Sequence, residues 1–262
     1  MSMEPQQIDA LGQELYRALR ENRTIAPLTE RFATITLEDA YAIQTRMNEH
    51  RYQDGETVVG KKIGVTSKAV QNRLGVAQPD FGILTSAMVK ADGEMVNLDE
   101  LIQPLAEGEI AFILKRDLMG PGVTNADVLR ATEAVMPCFE IVDSRIHNWA
   151  IKIQDTIADN ASCGLFVLGG NWISPRNFDL GTCGMVLYNN GELVGTGAGA
   201  ASMDSPVNAV VWLANMLGSL GIPLKAGEVI LSGSLAQMIP ISRGDFMEII
   251  IGGMGSASIR FA

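Results

Sequence analysis

Three glutamates pose the first chemical question in this chain. Glu107 and Glu109 flank Gly108 and lead into the apolar run Ile110-Ala111-Phe112-Ile113-Leu114, and Glu140 follows Val135-Met136-Pro137-Cys138-Phe139. A carboxylate in so apolar a stretch is costly to bury unless something pairs with it. In a strand over 106–114, the two-residue repeat puts Glu107 and Glu109 on one face. Three converging carboxylates call for a cation. All-oxygen donors suit Mg²⁺ or Mn²⁺, with coordination positions left for water or a chelating, oxygen-rich substrate. The plainer alternative is two surface glutamates at a strand end plus one ion-paired glutamate; it serves for Glu109 alone and poorly for Glu140.

Other groups are suited to act beside such a cation. In Gly60-Lys61-Lys62-Ile63-Gly64 the two lysines of a strand point opposite ways, so at most one faces a site. Lys62 is the candidate, and Lys61 is expected to reach solvent along its aliphatic stem. Asp80, in Pro79-Asp80-Phe81-Gly82, is either a turn former or an acid/base carboxylate on a loop over the site. Asp159-Asn160-Ala161-Ser162 offers amide and hydroxyl donors suited to a carboxylate, or else simply turns the chain. Ser232-Gly233-Ser234 can present backbone N–H groups where glycine permits close approach. Asn160, Ser162 and Ser234 are therefore the candidates for holding a substrate.

Several chemistries are excluded. No GxGxxG follows a candidate strand and no P-loop occurs, so no nucleotide cofactor is expected. The only histidines are His50 and His147, which makes a His-rich zinc site or a Ser-His-Asp triad a poor fit. Cys138, Cys163 and Cys183 are widely spaced with no CxxC pair, as expected of free thiols in a reducing cytoplasm. A net charge of −10 argues against nucleic acid or an anionic membrane as a partner. The N-terminus has no signal-peptide pattern, and no apolar run is long enough to span a bilayer.

The elements that must position these residues can be read from periodicity. Ile8, Leu11, Leu15 and Leu19 predict a helix over about 7–21, and Thr36 with Asp39 caps a second that ends before Gly55. These form an N-terminal helical cap region, 1–55, or else an oligomer-contact arm; the catalytic core is 56–262. Strands are expected at 58–65, 95–98, 107–116, 139–142, 165–168, 185–188, 229–231, 247–251 and 256–261. A loop is expected at 78–82, and helices after Ser67, over about 125–135 and after Ser205. Asn190-Gly191 predicts a hairpin. Short strands, interspersed helices and 27 glycines suggest an α+β protein with a mixed β-roll or sandwich core, not a doubly wound sheet.

In order, the motifs Gly60-Lys61-Lys62-Ile63-Gly64-Val65-Thr66-Ser67-Lys68, Gln78-Pro79-Asp80-Phe81-Gly82, Gln103-Pro104-Leu105-Ala106-Glu107-Gly108-Glu109-Ile110, Cys138-Phe139-Glu140-Ile141-Val142-Asp143-Ser144-Arg145 and Ala158-Asp159-Asn160-Ala161-Ser162 resemble the fumarylacetoacetate-hydrolase-like superfamily. Within it they are most similar to the hydratase/decarboxylase branch of bacterial aromatic meta-cleavage pathways. The resemblance implies a mixed β-roll, a divalent metal on Glu107, Glu109 and Glu140, Lys62 and Asp80 as the acid/base pair, and homo-oligomers. It implies addition of water to 2-hydroxypenta-2,4-dienoate. The alternatives within the branch are decarboxylation of 2-oxohex-3-enedioate (4-oxalocrotonate) and hydration of a longer dienoate such as 2-oxohept-4-enedioate. Asp80 favours hydration, because the decarboxylase pattern lacks that aspartate. A complex with a pathway decarboxylase is a further partner implied by the branch. Leu105 departs from the pattern, where a polar or charged residue is expected.

Overall fold

The computed structural model describes residues 3–262. Helices α1 (Pro5–Arg20), α2 (Leu28–Arg31) and α3 (Leu37–Gln53) open the chain. Thr36 and Asp39 form the expected capping box at the start of α3. There follow β1 (Val58–Gly64), α4 (Lys68–Leu74), β2 (Asp80–Thr85), β3 (Val89–Lys90), β4 (Met95–Val96) and β5 (Pro104–Leu114). Next come α5 (Asn125–Ala131), β6 (Thr132–Asp143), α6 (Ile153–Ala158), β7 (Cys163–Leu168), β8 (Gly184–Asn189) and β9 (Glu192–Ala198). The chain closes with α7 (Pro206–Ser219), β10 (Val229–Leu231), β11 (Ile239–Pro240), β12 (Phe246–Ile251) and β13 (Gly255–Phe261).

Two mixed sheets result. One has the order β2-β1-β10-β5-β6-β7-β3, with β11 also pairing β5; the other runs β4-β13-β12-β8-β9. This is the α+β roll with N-terminal helices that the sequence leads one to expect. The two faces of the large sheet differ in kind. Ile63, Ile230, Ile110, Phe112, Phe139 and Ile141 pack with Met185, Leu187, Met247 and Ile249 of the second sheet and with α7. Gly108 lies on this face, and a Cβ there would strike Met185 and Ile249. The opposite face is lined deep down by Leu84, Ala111, Cys138, Phe166 and Leu231. A third cluster joins the N-terminal helices, through Leu11, Leu15, Ile43 and Met47, to Ile146, Ile153 and Ile157.

The structure differs from the periodicity reading in three places. Residues 80–82 are not a loop: they start β2, where Asp80, Phe81 and Gly82 pair with Gly64, Ile63 and Lys62. Pro79 precedes the ladder and costs it no donor. The helix after Thr124 ends at Ala131, and the following residues join a strand of twelve. There Val135 and Phe139 fill the inter-sheet core, so tertiary burial overrides local helical pattern. Lys61 does not reach solvent. It is 4% exposed, and its ammonium donates to both Glu228 oxygens at 2.6 Å.

Candidate metal centre

Strand register brings the predicted residues together. Glu107 lies opposite Glu140 across the β5–β6 ladder, and Glu109 lies opposite Cys138. Alternation then sends Glu107, Glu109 and Glu140 to the face away from the second sheet. Their carboxylates each offer an oxygen within 4.8 Å of the others. Glu109 and Glu140 are 0% and 1% exposed, and Glu107 is half-buried. Glu109 Oε2 accepts from the Gly233 backbone N–H at 2.8 Å, whereas Glu109 Oε1 and both Glu140 oxygens have no aligned donor. Buried carboxylate oxygens without donors are what a hard cation would satisfy, so the donor set fits a divalent ion of the Mg²⁺ type.

Lys62 and Asp80 face this cluster. On a flat sheet the three strand spacings from β1 to β6 would separate their backbones by about 14 Å. Lys62 Nζ nevertheless lies 3.2 Å from Glu140 Oε1, the two long side chains reaching toward each other over the same face of the sheet. The aligned hydrogen bond of Lys62 goes to the Ala161 carbonyl at 3.1 Å. Asp80 is 1% exposed, with neither oxygen on an aligned donor. It sits over its ladder partner Gly64, where a Cβ would collide with Asp80 Oδ1 and lie 3.3 Å from Lys62 Nζ. Glycine at 64 is therefore the condition for bringing the two side chains together.

The electrostatics follow from burial. Burial alone would lower the Lys62 pKa, but Glu140, Glu107 and Asp80 outweigh it and hold the ammonium protonated in the metal-free protein. That is opposite to the lowering a neighbouring cation would produce. Burial raises Asp80, with Lys62 opposing. Burial likewise pushes Glu140 up to about 7, against Lys62, and raises Glu109 further with Glu140 adding to it.

The carboxylate-binding candidates fare differently from one another. Asn160 Nδ2 donates to the Ile83 carbonyl at 2.9 Å, while Asn160 Oδ1 accepts from Ile83 N at 2.9 Å and Asn48 Nδ2 at 3.0 Å. Its amide oxygen and one amide N–H therefore splice the 160–162 turn to β2 and α3. Ser162, buried, lies 3.4 Å hydroxyl to hydroxyl from Thr156. Ser234 Oγ donates to the Ala236 carbonyl at 2.8 Å, and it is the neighbouring Gly233 amide that touches a glutamate.

Sequence reasoning missed the scaffold of this turn. Asn160, Ala161 and Ser162 all have left-handed φ, at 54°, 50° and 55°, and Val65, a β-branched residue, has φ 56° beside Gly64. Non-glycine residues hold such conformations only where their surroundings over-determine them. Arg145, fully buried, donates to the Cys163 carbonyl at 2.7 Å and pairs with the buried Asp159, which also accepts from Arg145 N at 2.9 Å and Ser144 Oγ at 3.0 Å. Gln71 Nε2 donates to the Val65 carbonyl at 3.0 Å. On α3, the buried Gln44, Asn48 and Arg51 form a polar stripe toward β2. Their four- and three-residue spacing is the signal that could have shown it.

A family model described as fumarylacetoacetate (FAA) hydrolase C-terminal matches residues 60–262. The chain belongs to this family. Among curated members, it is 67% identical over 216 residues to the 2-hydroxypent-2,4-dienoate hydratase of Pseudomonas putida, covering 82% of this chain and 97% of that one. It is 58% identical over 256 residues to the 2-hydroxyhexa-2,4-dienoate hydratase of Comamonas testosteroni, covering 97% of each. Among solved structures of the FAA hydrolase fold, 4-oxalocrotonate decarboxylase from Pseudomonas putida G7, complexed with magnesium and adipate, superposes with a TM-score of 0.96 at 35% identity over 99% of both chains. Among the described residues of this FAA hydrolase family member, no helix is long and apolar enough to cross a membrane.

Proposed function

We propose that the chain is a divalent-metal-dependent hydro-lyase that adds water to 2-hydroxypenta-2,4-dienoate, giving 4-hydroxy-2-oxopentanoate in the meta-cleavage route of aromatic degradation. The observation that carries this is the facing of an acid/base pair, Lys62 and Asp80, onto three clustered carboxylates, two of them with buried oxygens lacking an aligned donor, in a chain 67% identical to a hydratase of that substrate. Glu107, Glu109 and Glu140 would hold the cation, Mg²⁺ or Mn²⁺. Magnesium in the decarboxylase structure supports a divalent ion of this kind. When bound, it supplies a Lewis acid for the substrate's C1 carboxylate and C2 oxygen.

The chain's own groups move the protons. The C2 hydroxyl proton leaves and one arrives at C5, giving 2-oxopent-3-enoate. Water then adds its oxygen at C4 and a proton enters at C3. Lys62 and Asp80 serve both exchanges: the ammonium is held by the Ala161 carbonyl, and the carboxyl is kept ready to carry a proton by its burial. Ser162 and Ser234 remain candidates for contacting the substrate, and Asn160 positions the turn. Residues 1–55 act as a helical cap over the 56–262 core. A homo-oligomer, and a complex with a decarboxylase of the same route, complete the reading.

Purified protein given 2-hydroxypenta-2,4-dienoate with and without Mg²⁺ should consume its ultraviolet absorbance only with metal and yield 4-hydroxy-2-oxopentanoate. Asp80→Asn should lose at least about 100-fold in kcat with metal still bound, and wild-type turnover in that variant would remove Asp80 from the mechanism. The close fit to 4-oxalocrotonate decarboxylase favours one second reading. Release of CO₂ from 2-oxohex-3-enedioate, with no hydration of the dienoate, would establish it.

A further inference from the structure

We propose that Asn48 on α3 is a positioning residue for the Lys62–Asp80 pair, acting through Asn160, so that the N-terminal helices take part in catalysis. The inference rests on the hydratase reading above. Its starting point is a chain of short-range contacts. Asn48 Nδ2 donates to Asn160 Oδ1 at 3.0 Å, and that same oxygen accepts from Ile83 N at 2.9 Å. Asn160 Nδ2 returns a hydrogen bond to the Ile83 carbonyl at 2.9 Å. One amide side chain thus takes the place of a neighbouring strand at the outer edge of β2, three residues from Asp80.

The same turn faces Lys62. Its three consecutive left-handed residues aim the Ala161 carbonyl at Lys62 Nζ, 3.1 Å away, and press Asn160 O and Ala161 Cβ against Gly82, the ladder partner of Lys62. A lysine side chain is long and flexible, and this carbonyl is its aligned acceptor. Whatever fixes the turn therefore fixes the ammonium. Gln44 and Arg51 repeat the arrangement on either side of Asn48: Gln44 Nε2 donates to the Phe81 and Ile157 carbonyls at 2.9 and 3.0 Å, and Arg51 donates to Thr85 Oγ1 at 2.8 Å. The helix thereby fixes β2 at Phe81, Ile83 (through Asn160) and Thr85. Asn48 is the member of the stripe that joins β2 to the Lys62 turn.

The test compares Asn48→Ala and Asn48→Asp (same outline, no donor toward Asn160) with Asn48→Gln, which keeps a donor. All are assayed as full-length, Mg²⁺-loaded protein well below their melting temperatures. Expected is a fall in kcat of about 10- to 100-fold for Ala and Asp, the scale of a misplacement near 1 Å. KM and Mg²⁺ affinity should stay within about threefold, with partial recovery in Gln. In a Lys62→Ala background the same change should cost less than about twofold, because the group it positions is gone. A merely structural role would multiply through in that background and would track the loss of melting temperature; either result overturns the proposal, as does wild-type kcat in both donor-less variants. If Asn48→Ala does not fold, Asn48→Asp, which keeps the outline at 48 but loses the donor to Asn160, carries the same comparison with Asn48→Gln. Failure of the wild type to hydrate the dienoate would instead sink the functional reading itself.

Discussion

At the scale of single residues, Glu140 carries the most informative tension. Burial lifts it to about 7 even with Lys62 beside it, because Glu107 adds its own charge and no backbone N–H reaches its oxygens as Gly233 reaches Glu109. A cation must displace that proton. Mg²⁺ affinity should therefore climb with pH up to about 7 and level off above it, with protons released on binding. Calorimetry in buffers of different ionisation enthalpy checks this, and an affinity that is flat from pH 5.5 to 8 would take Glu140 out of the ligand set. The same shift sets the sign for stability. The folded pKa lies above the ordinary value of 4.5, so between the two the folded state holds more protons than the unfolded one. Metal-free protein should lose melting temperature as pH rises across that window. The glutamates and Lys62 stand out in the sequence because charge within apolar runs is anomalous, whereas Asp80 reads equally as a turn former and its pairing with Lys62 follows from the family resemblance. The hydrogen bonds that anchor Asn160 were not legible, because its partners Asn48 and Ile83 lie far away in the chain.

At the scale of elements, the site is a matter of register. Rows across the large sheet place Asp80 beside Gly64 and Glu107 beside Glu140, and alternation along each strand decides which residues meet. The long helices and the Asn190-Gly191 hairpin, with φ 52° and 84°, were legible because caps and turn residues act locally. Strand β2 was hidden, since its ladder with β1 is a tertiary fact and the local signal, Pro79 and Gly82, reads as a turn. The left-handed turn at 160–162 was likewise hidden. It is clamped by Arg145 and Asp159, both fully buried. Asp159→Asn leaves Arg145 buried without its counter-charge and should cost about 3–5 kcal/mol of stability. Urea unfolding reads that loss directly, and a change under about 1 kcal/mol would show that the pair behaves as though solvent-exposed.

At the scale of the whole molecule, the helices of 1–55 have their own cluster, yet it includes Ile146, Ile153 and Ile157 from the core chain. We read this segment as a cap that cannot be lifted off without cost. Removing residues 1–55 uncovers that apolar surface and strips β2 of Gln44, Asn48 and Arg51, leaving an edge strand open to pairing with other chains. The truncated chain should aggregate or show no turnover, as light scattering and the dienoate assay would reveal; a soluble, active 56–262 fragment would make the cap dispensable. The adjacent lysines of β1 add a hazard of another kind. A slip of one residue would exchange Lys61 for Lys62 with no change in side-chain chemistry, so the charged groups themselves cannot tell a nascent strand that it is misaligned. The flanking glycines can. A Cβ at 60 would strike the Val229 backbone, and one at 64 would strike Asp80, so only one alignment puts a bare Cα at both places. Proofreading of this strand during folding falls to the two residues in it that have no side chain.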